Sequence, residues 1–227
     1  VLAIVVRLWG LRFGLPHSLT RPDEEAIASI ALLFFSRHLN PHFFRYPSLM
    51  PYAVAIMYVG YLNVGRLAGW FTSEVRFTRY ATQWPLPFFL LQRSLVVALG
   101  AASVLVVYSI ARRTADRTTA RIAAFFLALA YLHVRDSHFG VTDVPMTFLV
   151  LCAVALALRY ADGGRSRDIL LSSALAGFAA STKYNGLIAL APVMLAIGVR
   201  GQHRPVTSGL AAGARGSSRI QRSDRHS

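Results

Sequence analysis

Two short acidic segments contain five of the ten carboxylates in a chain that is otherwise apolar and rich in arginine. The first segment is residues 21–25 (RPDEE), and the second is residues 135–143 (RDSHFGVTD). A carboxylate in or beside a lipid bilayer is costly to dehydrate, so each is a functional candidate by default. The chemistry such a group could supply is removal of the proton from an attacking hydroxyl group.

Three cations accompany the acidic segments at predicted helix ends. They are Arg93, Arg135 and Lys183, and Lys183 is the only lysine among the 24 basic Lys and Arg residues. Fixed positive groups beside carboxylates suit a reaction in which a hydroxyl attacks and a lipid-linked phosphate leaves. The cations would stabilise the charge that develops on the leaving phosphate.

Each of these residues also has a purely structural interpretation, which the sequence leaves open. Asp23 and Glu24 could be first-turn acids that complement a helix dipole. Asp143 could be the N-cap of the next helix. His138 could be a site residue or an ordinary loop residue, and the single lysine could be a chance survivor.

The elements that must position these residues are apolar helices. The chain is 55% hydrophobic and 15% charged, and its apolar runs follow one another with short arginine-bearing links. The runs are residues 1–13, 94–111, 122–134, 144–158, 169–182 and 186–199. Since a bilayer core needs about 20 residues per helix, we predict an all-α, polytopic transmembrane helical bundle with about six spanning helices.

The formal net charge of +14 invites a nucleic-acid interpretation, but the distribution of the arginines excludes it. They gather at residues 112–121, 159–167 and 200–225, at alternate helix ends, which is the positive-inside pattern of membrane proteins. With these clusters cytoplasmic, counting crossings places the outer loops, residues 14–47 and 135–143, on the same extracytoplasmic face.

Residues 48–71 complicate this count, because one extra crossing there would invert everything that follows. The segment contains tyrosines, Asn63 and Arg66, so we predict an interfacial or re-entrant helix. An ordinary spanning helix with a second crossing at residues 72–92 stays the alternative. An amphipathic interfacial helix is also predicted to start at the acidic pair and to stop at Asn40-Pro41.

The two ends of the sequence differ in kind. Residues 1–13 are interpreted as a first membrane helix clipped at its N-terminal side, with a signal-peptide remnant as the alternative. Residues 1–200 form the predicted transmembrane module, and residues 201–227 are rich in Gly, Ser and Arg and are predicted to be a disordered basic tail. The lone Cys152 lies in an apolar run and is expected in the core.

Other kinds of site are not indicated. The sequence has no His/Cys metal spacing, no Gly-x-Ser-x-Gly nucleophile motif and no Gly-rich phosphate loop. His133 and His138 are five residues apart, which is not the spacing of a helical metal pair. We predict no cofactor and no metal ligand, and leave open whether a divalent metal is needed.

Five segments, in order, resemble a known family. They are GLPHSLTRPDEEA, RYPSLMPYAVAIMY, LQRSLVVALGAASVLVVYSIARR, RDSHFGVTDVPMTFLV and LAGFAASTKYNGLIALAPVML. The family is that of the polyprenyl-phosphate-sugar-dependent glycosyltransferases of family 39, which includes protein O-mannosyltransferase relatives and has the GT-C fold. The similarity covers roughly residues 5 to 199.

This resemblance implies inverting transfer of a sugar from a polyprenyl phosphate to a hydroxyl acceptor on the outer face. It implies Asp23 as general base and Glu24 as the neighbour that shapes the acceptor site. The remaining substrate-binding residues implied by the resemblance are Arg93 at the donor phosphate, Arg135, His138, Asp143, Lys183 and Tyr184.

The implied partners are the lipid-phosphate sugar, a protein, lipid or glycan acceptor and the bilayer, without nucleic acid, in the plasma membrane of a bacterium. The sequence departs from the family where it passes into GQHRPVTSGLAAGARGSSRIQRSDRHS, since relatives continue with many more helices. RYPSL also lacks the doubled proline of many relatives, which leaves the role of Arg45 open. The alternatives are a catalytically incomplete fragment of such an enzyme and a fragment of a membrane transporter.

Overall fold

The computed structural model describes residues 1–15, 21–36 and 39–202, and every regular element in those ranges is a helix. The α-helices are α1 (Leu2–Trp9), α2 (Pro22–Leu33), α3 (Leu49–Leu67), α4 (Glu74–Gln83), α5 (Leu86–Thr114), α6 (Arg117–Leu129), α7 (Tyr131–Asp136), α8 (Asp143–Ala161), α9 (Ser166–Thr182) and α10 (Leu190–Gln202). Two 3₁₀ segments, Phe34–Ser36 and Tyr184–Ala189, follow α2 and precede α10. The predicted all-α fold class is confirmed, and the predicted tail from residue 203 onward lies outside the described residues.

The long helix α5 is the centre of the bundle, because it packs against α1, α3, α6 and α8. Its 29 residues begin after Pro85 and end with Arg112 and Arg113, which complement the negative end of the helix dipole. A second group of helices forms beside it, where α8 packs against α9 and α10. The short link between α8 and α9 makes these two helices antiparallel.

Two cores of different composition hold these groups together. The core around α2 to α5 is aromatic, with Tyr58, Phe77 and Phe88 buried among its aliphatic residues. The core between α8, α9 and α10 is built from small side chains, Ala153, Ala176, Ala189 and Val193. Small residues let helix backbones approach closely, which is how helices associate in lipid.

Three helical segments within the described ranges are long and apolar enough to cross a membrane. They are Leu86–Thr114, Asp143–Ala161 and Tyr184–Gln202. The other three predicted spanning segments form α1, α6 and α9, whose lengths of 8, 13 and 17 residues fall short of the roughly 20 that span a bilayer core. The class of helical membrane bundle is therefore confirmed. Of the six predicted spanning helices, three in the described ranges are long enough to span.

The helix boundaries differ from the predictions in two informative places. The predicted start at residue 94 is wrong, because α5 begins at Leu86 and passes through Arg93. The predicted spanning helix of the run 122–134 is broken at Ala130, which has a non-helical ψ of 113° and separates α6 from α7. Within residues 48–71, the helix α3 covers Leu49–Leu67. Its interfacial position stays a prediction.

The charged residues separate to two ends of the bundle. At the end called here the basic end, Arg113 in the last turn of α5 pairs with Asp162, the residue that follows α8. Arg200 of α10 donates to the carbonyl of Tyr160 there. At the opposite end, called here the acidic end, lie residues 21–25, residues 135–143 and Lys183. Helices α5 and α8 therefore run in the same direction, as the count of crossings requires.

Candidate active site

The two carboxylates of the first acidic segment are positioned by the start of α2. Arg21 is the N-cap in extended conformation, and Pro22 occupies the first helical position, where its missing N–H costs nothing. Successive helical residues point about 100° apart. As a result Glu24 faces the protein interior and is 2% exposed, while Asp23 is only half-buried.

Glu24 forms a buried, bidentate ion pair with Arg93 of α5. Arg93 Nε donates to Oε1 and Nη2 donates to Oε2, both at 2.7 Å. The backbone N–H of Gly140 donates to the same Oε1, also at 2.7 Å. Glu24 thereby joins the first acidic segment directly to α5 and to the second acidic segment.

Arg93 is fully engaged in holding this end together. Its Nη1 donates to the carbonyls of Leu11 and Phe13 at 2.7 and 2.8 Å, and its guanidinium lies 5.2 Å from the centre of the Phe139 ring. The side chain is 1% exposed. The predicted contact of Arg93 with a donor phosphate is therefore not supported by this geometry, and Glu24 is too buried to shape an acceptor site by contact.

Gln92 is a member of this cluster that the sequence reasoning missed. Its Nε2 donates to the carbonyl of Gly140 at 2.5 Å and to that of Glu24 at 3.3 Å, and the side chain is fully buried. A Cβ added at Gly140 would collide with the Gln92 side chain, so only glycine fits there. The available signal was an amide beside Arg93 inside an otherwise apolar helix.

Asp23 has a different environment from its neighbour Glu24. The hydroxyl of Tyr46 donates to Asp23 Oδ1 at 3.1 Å, and Asp23 forms no ion pair with any residue that the structure describes. Burial, followed by the hydrogen bond to the Asp23 carboxylate, raises the pKa of Tyr46, while Lys183 and Arg45 act in the opposite direction. Tyr46 therefore stays a neutral donor and lies within electrostatic range of both Asp23 and Lys183.

Lys183 and Asp143 form a second ion pair at the acidic end. Lys183 Nζ donates to Asp143 Oδ1 at 2.6 Å, and the two side chains are 26% and 42% exposed. Thr142 is the N-cap of α8, so the N-cap interpretation of Asp143 is wrong by one residue. Tyr184, next to the lysine, donates its hydroxyl to the carbonyl of Phe44 at 3.1 Å, which ties this segment to the first outer loop.

The remaining residues of the second segment anchor it to its surroundings. Asp136 accepts hydrogen bonds from Arg135 at 2.8 and 3.0 Å and from Arg21 at 3.3 Å. His138 Nε2 lies 3.0 Å from the carbonyl of Val6 in α1. Arg135 stays partly exposed, with 41% of its side chain accessible, whereas His138 fits the alternative of a structural loop residue.

A second buried arginine, Arg7 of α1, also escaped the sequence reasoning. It is 0% exposed and its Nε donates to Ser137 at 3.2 Å. Its other nitrogens reach His133 and the carbonyls of Ala3, Leu127 and Ala128. Arg7 thus fixes α1 against the break between α6 and α7, directly beneath the second acidic segment.

The acidic end consequently has an inner and an outer layer. Glu24, Arg93, Gln92 and Arg7 are buried and hold the segments together. Asp23, Tyr46, Asp143 and Lys183 remain partly accessible and combine a carboxylate without an ion pair with a fixed ammonium group. Such a set can accept a proton and stabilise an anion. Within the described ranges, no group of three or more His, Cys, Asp or Glu side chains could hold a metal ion, and the need for a metal stays open.

The family model of dolichyl-phosphate-mannose-protein mannosyltransferases matches residues 91–210. Dolichyl-phosphate-mannose–protein mannosyltransferase 5 of Saccharomyces cerevisiae is 28% identical over 197 residues, which cover 84% of this chain and 25% of the yeast protein. The chain thus spans about a quarter of the length of that curated relative. No solved structure matches significantly.

Proposed function

The chain belongs to the dolichyl-phosphate-mannose-protein mannosyltransferase family. We propose that it catalyses sugar transfer as a membrane glycosyltransferase. It transfers a sugar from a polyprenyl-phosphate-linked donor to a hydroxyl acceptor, with inversion, and Asp23 is the general base. The names of the family and of the yeast relative favour mannose as the sugar and a protein as the acceptor. The observation that carries the proposal is the accessible Asp23 carboxylate, held by Tyr46 near Lys183 and without an ion pair among the described residues.

The proposed reaction is a single displacement. The acceptor oxygen attacks C1 of the sugar while an Asp23 oxygen takes its proton. The bond between C1 and the phosphate oxygen breaks, and its electron pair leaves with the polyprenyl phosphate. Attack opposite to the leaving group inverts C1. Asp23 suits this role because no cation among the described residues forms an ion pair with its carboxylate, whereas Glu24 is neutralised by Arg93.

The leaving phosphate needs positive charge at the outer layer of the acidic end. Lys183 and Arg135 are both partly exposed there, and Arg45 is exposed beside Tyr46. We propose that these three cations replace Arg93 as contacts of the donor phosphate. Asp143 orients Lys183 through their ion pair, Tyr184 fixes the same segment, and Glu24 and Arg93 position Asp23 from below.

The charge distribution supports a proposal for the location of the reaction. The chain is an integral membrane protein, and its arginines gather at the basic end, which the positive-inside rule places in the cytoplasm. The acidic end then faces the extracytoplasmic side, where a lipid-linked donor and an acceptor can meet. We propose the plasma membrane of a bacterium as its location.

The decisive test compares two carboxylates in the same first turn of α2. Asp23→Asn removes the base but keeps the size of the side chain, and should lower transfer by about 100-fold or more. Glu25→Gln removes an equivalent first-turn charge and is the matched control for a helix-dipole effect. The assay uses the purified chain in liposomes with polyprenyl-phosphate mannose and a peptide containing Ser and Thr.

Each outcome of this test has a defined meaning. Loss of transfer in Asp23→Asn with an active Glu25→Gln supports Asp23 as the base. Equal losses in both variants would indicate a helix-dipole effect, and full activity of Asp23→Asn would refute the assignment. Failure of the unchanged chain to transfer any sugar, with intact helical structure, would refute the proposed activity of this chain on its own.

A further inference from the structure

The basic end contains a polar cavity that the proposed reaction does not use. It has a volume of about 690 Å³ and lies between the ends of α5, α8 and α9. Four arginines line it together with the glycine turn that joins α8 to α9. The polar part of the lining includes Arg113, Arg159, Arg165, Arg167, Gly164 and Asp168. A cavity of this size is in the range of small-molecule sites.

The cations of this cavity outnumber its carboxylates. Arg113 binds Asp162 at 2.6 Å, and Arg159 lies 3.5 Å from Asp168. Arg165 and Arg167 are exposed, and neither forms an ion pair with another residue in the described part of the chain. Among the residues that the structure describes, these two positive charges of the cavity therefore have no counter-ion, which favours an anionic ligand.

The backbone that carries these arginines is held in place. Arg200 of α10 donates to the carbonyls of Tyr160 and Gly164, and its guanidinium lies 4.3 Å from the centre of the Tyr160 ring. Asp168 Oδ2 accepts the backbone N–H of Arg165 at 3.0 Å, which fixes the start of α9. A Cβ at Gly164 would collide with the carbonyl of Arg159, so the turn is closely packed. The cavity is therefore a formed site rather than a chance gap.

We propose that this cavity binds the phosphate-bearing headgroup of an anionic phospholipid in the adjoining leaflet. The cavity lies at the ends of α5 and α8, two of the helices long enough to span a membrane, and so at the depth of the headgroups. Guanidinium groups bind phosphate oxygens with two parallel hydrogen bonds. Basic pockets between membrane helices take anionic headgroups in the same way. This site lies opposite the acidic end and does not depend on the proposed transfer reaction.

The experiment measures lipid binding by the purified full chain in mixed detergent micelles. Phosphatidylglycerol and phosphatidylcholine are titrated separately, and bound lipid is counted by native mass spectrometry. We expect preferential binding of phosphatidylglycerol. Arg165→Gln with Arg167→Gln should weaken that binding by about 30-fold, since both guanidinium groups line the cavity and the headgroup phosphate would lose its charge-assisted hydrogen bonds to them.

The matched control is Arg112→Gln with Arg117→Gln, which removes the same charge from the basic end outside the cavity. It should change phosphatidylglycerol binding by less than about 3-fold. Circular dichroism verifies that both double variants keep their helices. Equal weakening by the two double variants, or equal binding of the two lipids, would overturn the proposal. Displacement of phosphatidylglycerol by equimolar inorganic phosphate would overturn the lipid assignment in favour of a soluble anion.

Discussion

At the acidic end, Glu24 and Arg93 are 2% and 1% exposed and their polar atoms bind one another and the backbone of two loops. At the basic end, Arg113 and Asp162 form an equally short ion pair but are 40% and 55% exposed. The difference shows that the distance between the charged groups does not by itself determine how much an ion pair contributes to stability. A buried pair is costly to break because the remaining charge has no solvent, whereas an exposed pair exchanges its partner for water.

The largest effect is expected from breaking the buried pair. Glu24→Gln or Arg93→Met should each lower the free energy of unfolding by about 3–5 kcal/mol, because an uncompensated charge stays buried. The double variant should lose less than the sum of the two single losses. Unfolding in mixed dodecylmaltoside and SDS micelles measures all four proteins of this cycle. Strictly additive losses would mean that the two side chains do not interact.

The second largest loss of stability is expected where the second acidic segment packs against α5 at Gly140. Gly140→Ala should cost about 1–3 kcal/mol, because the added methyl group overlaps the buried Gln92. Gly177→Ala is the matched control, since nothing lies within 4 Å of a Cβ at that helical position. The same unfolding assay should show Gly177→Ala to be as stable as the unchanged chain or slightly more stable. An equal loss in both variants would contradict the close approach at Gly140.

The Lys183–Asp143 pair is intermediate in exposure between the buried pair and the exposed pair. Its loss is expected to lower activity much more than stability. Lys183→Met should change the free energy of unfolding by no more than about 1 kcal/mol, since both side chains are partly exposed. Transfer from the lipid-phosphate donor should nevertheless fall by about 10-fold or more, and Lys183→Arg should recover part of it. The assay is the initial rate against donor concentration. Unchanged rates in Lys183→Met would remove this lysine from the phosphate site.

The smallest effect is expected at the exposed pair of the basic end. Arg113→Gln should change the free energy of unfolding by no more than about 0.5 kcal/mol, and added salt should reduce even that difference. Unfolding midpoints at low and high salt measure it. A loss as large as that of Glu24→Gln would show that exposure does not explain the contrast between the two ends.

The sequence was most informative about the bundle itself, because apolar runs and arginine clusters follow directly from the chemistry of lipid. The start of α5 was misplaced because a hydropathy run ends at a charge, and Arg93 is a charge that the helix carries into the interior. Arg7 is a second charge that a helix carries into the interior. An ion pair or a group of carbonyls stabilises a buried charge through residues that are distant in the sequence. A hydropathy count along the chain cannot detect such partners.

The candidate site was predictable in outline but not in its division of roles. The count of crossings placed the two acidic segments together, and the structure joins them through Glu24 and Gly140. Which of the adjacent residues Asp23 and Glu24 faces inward depends on the rotation of α2 about its axis, which packing sets. Gln92 and Tyr46 carry no charge, so the charge pattern that led to the site could not include them.

The hydrogen bonds of Glu24 can form only in a certain order during biosynthesis of this protein. Its partner Arg93 follows 69 residues later in the chain, and Gly140 follows 116 residues later. Until both have been synthesised and inserted, the Glu24 carboxylate lacks the hydrogen bonds from Arg93 and Gly140 that it accepts in the folded structure. The outer layer around Asp23 therefore takes its final shape after translation has passed the second acidic segment, so assembly of the site is coupled to membrane insertion of the helices that follow it.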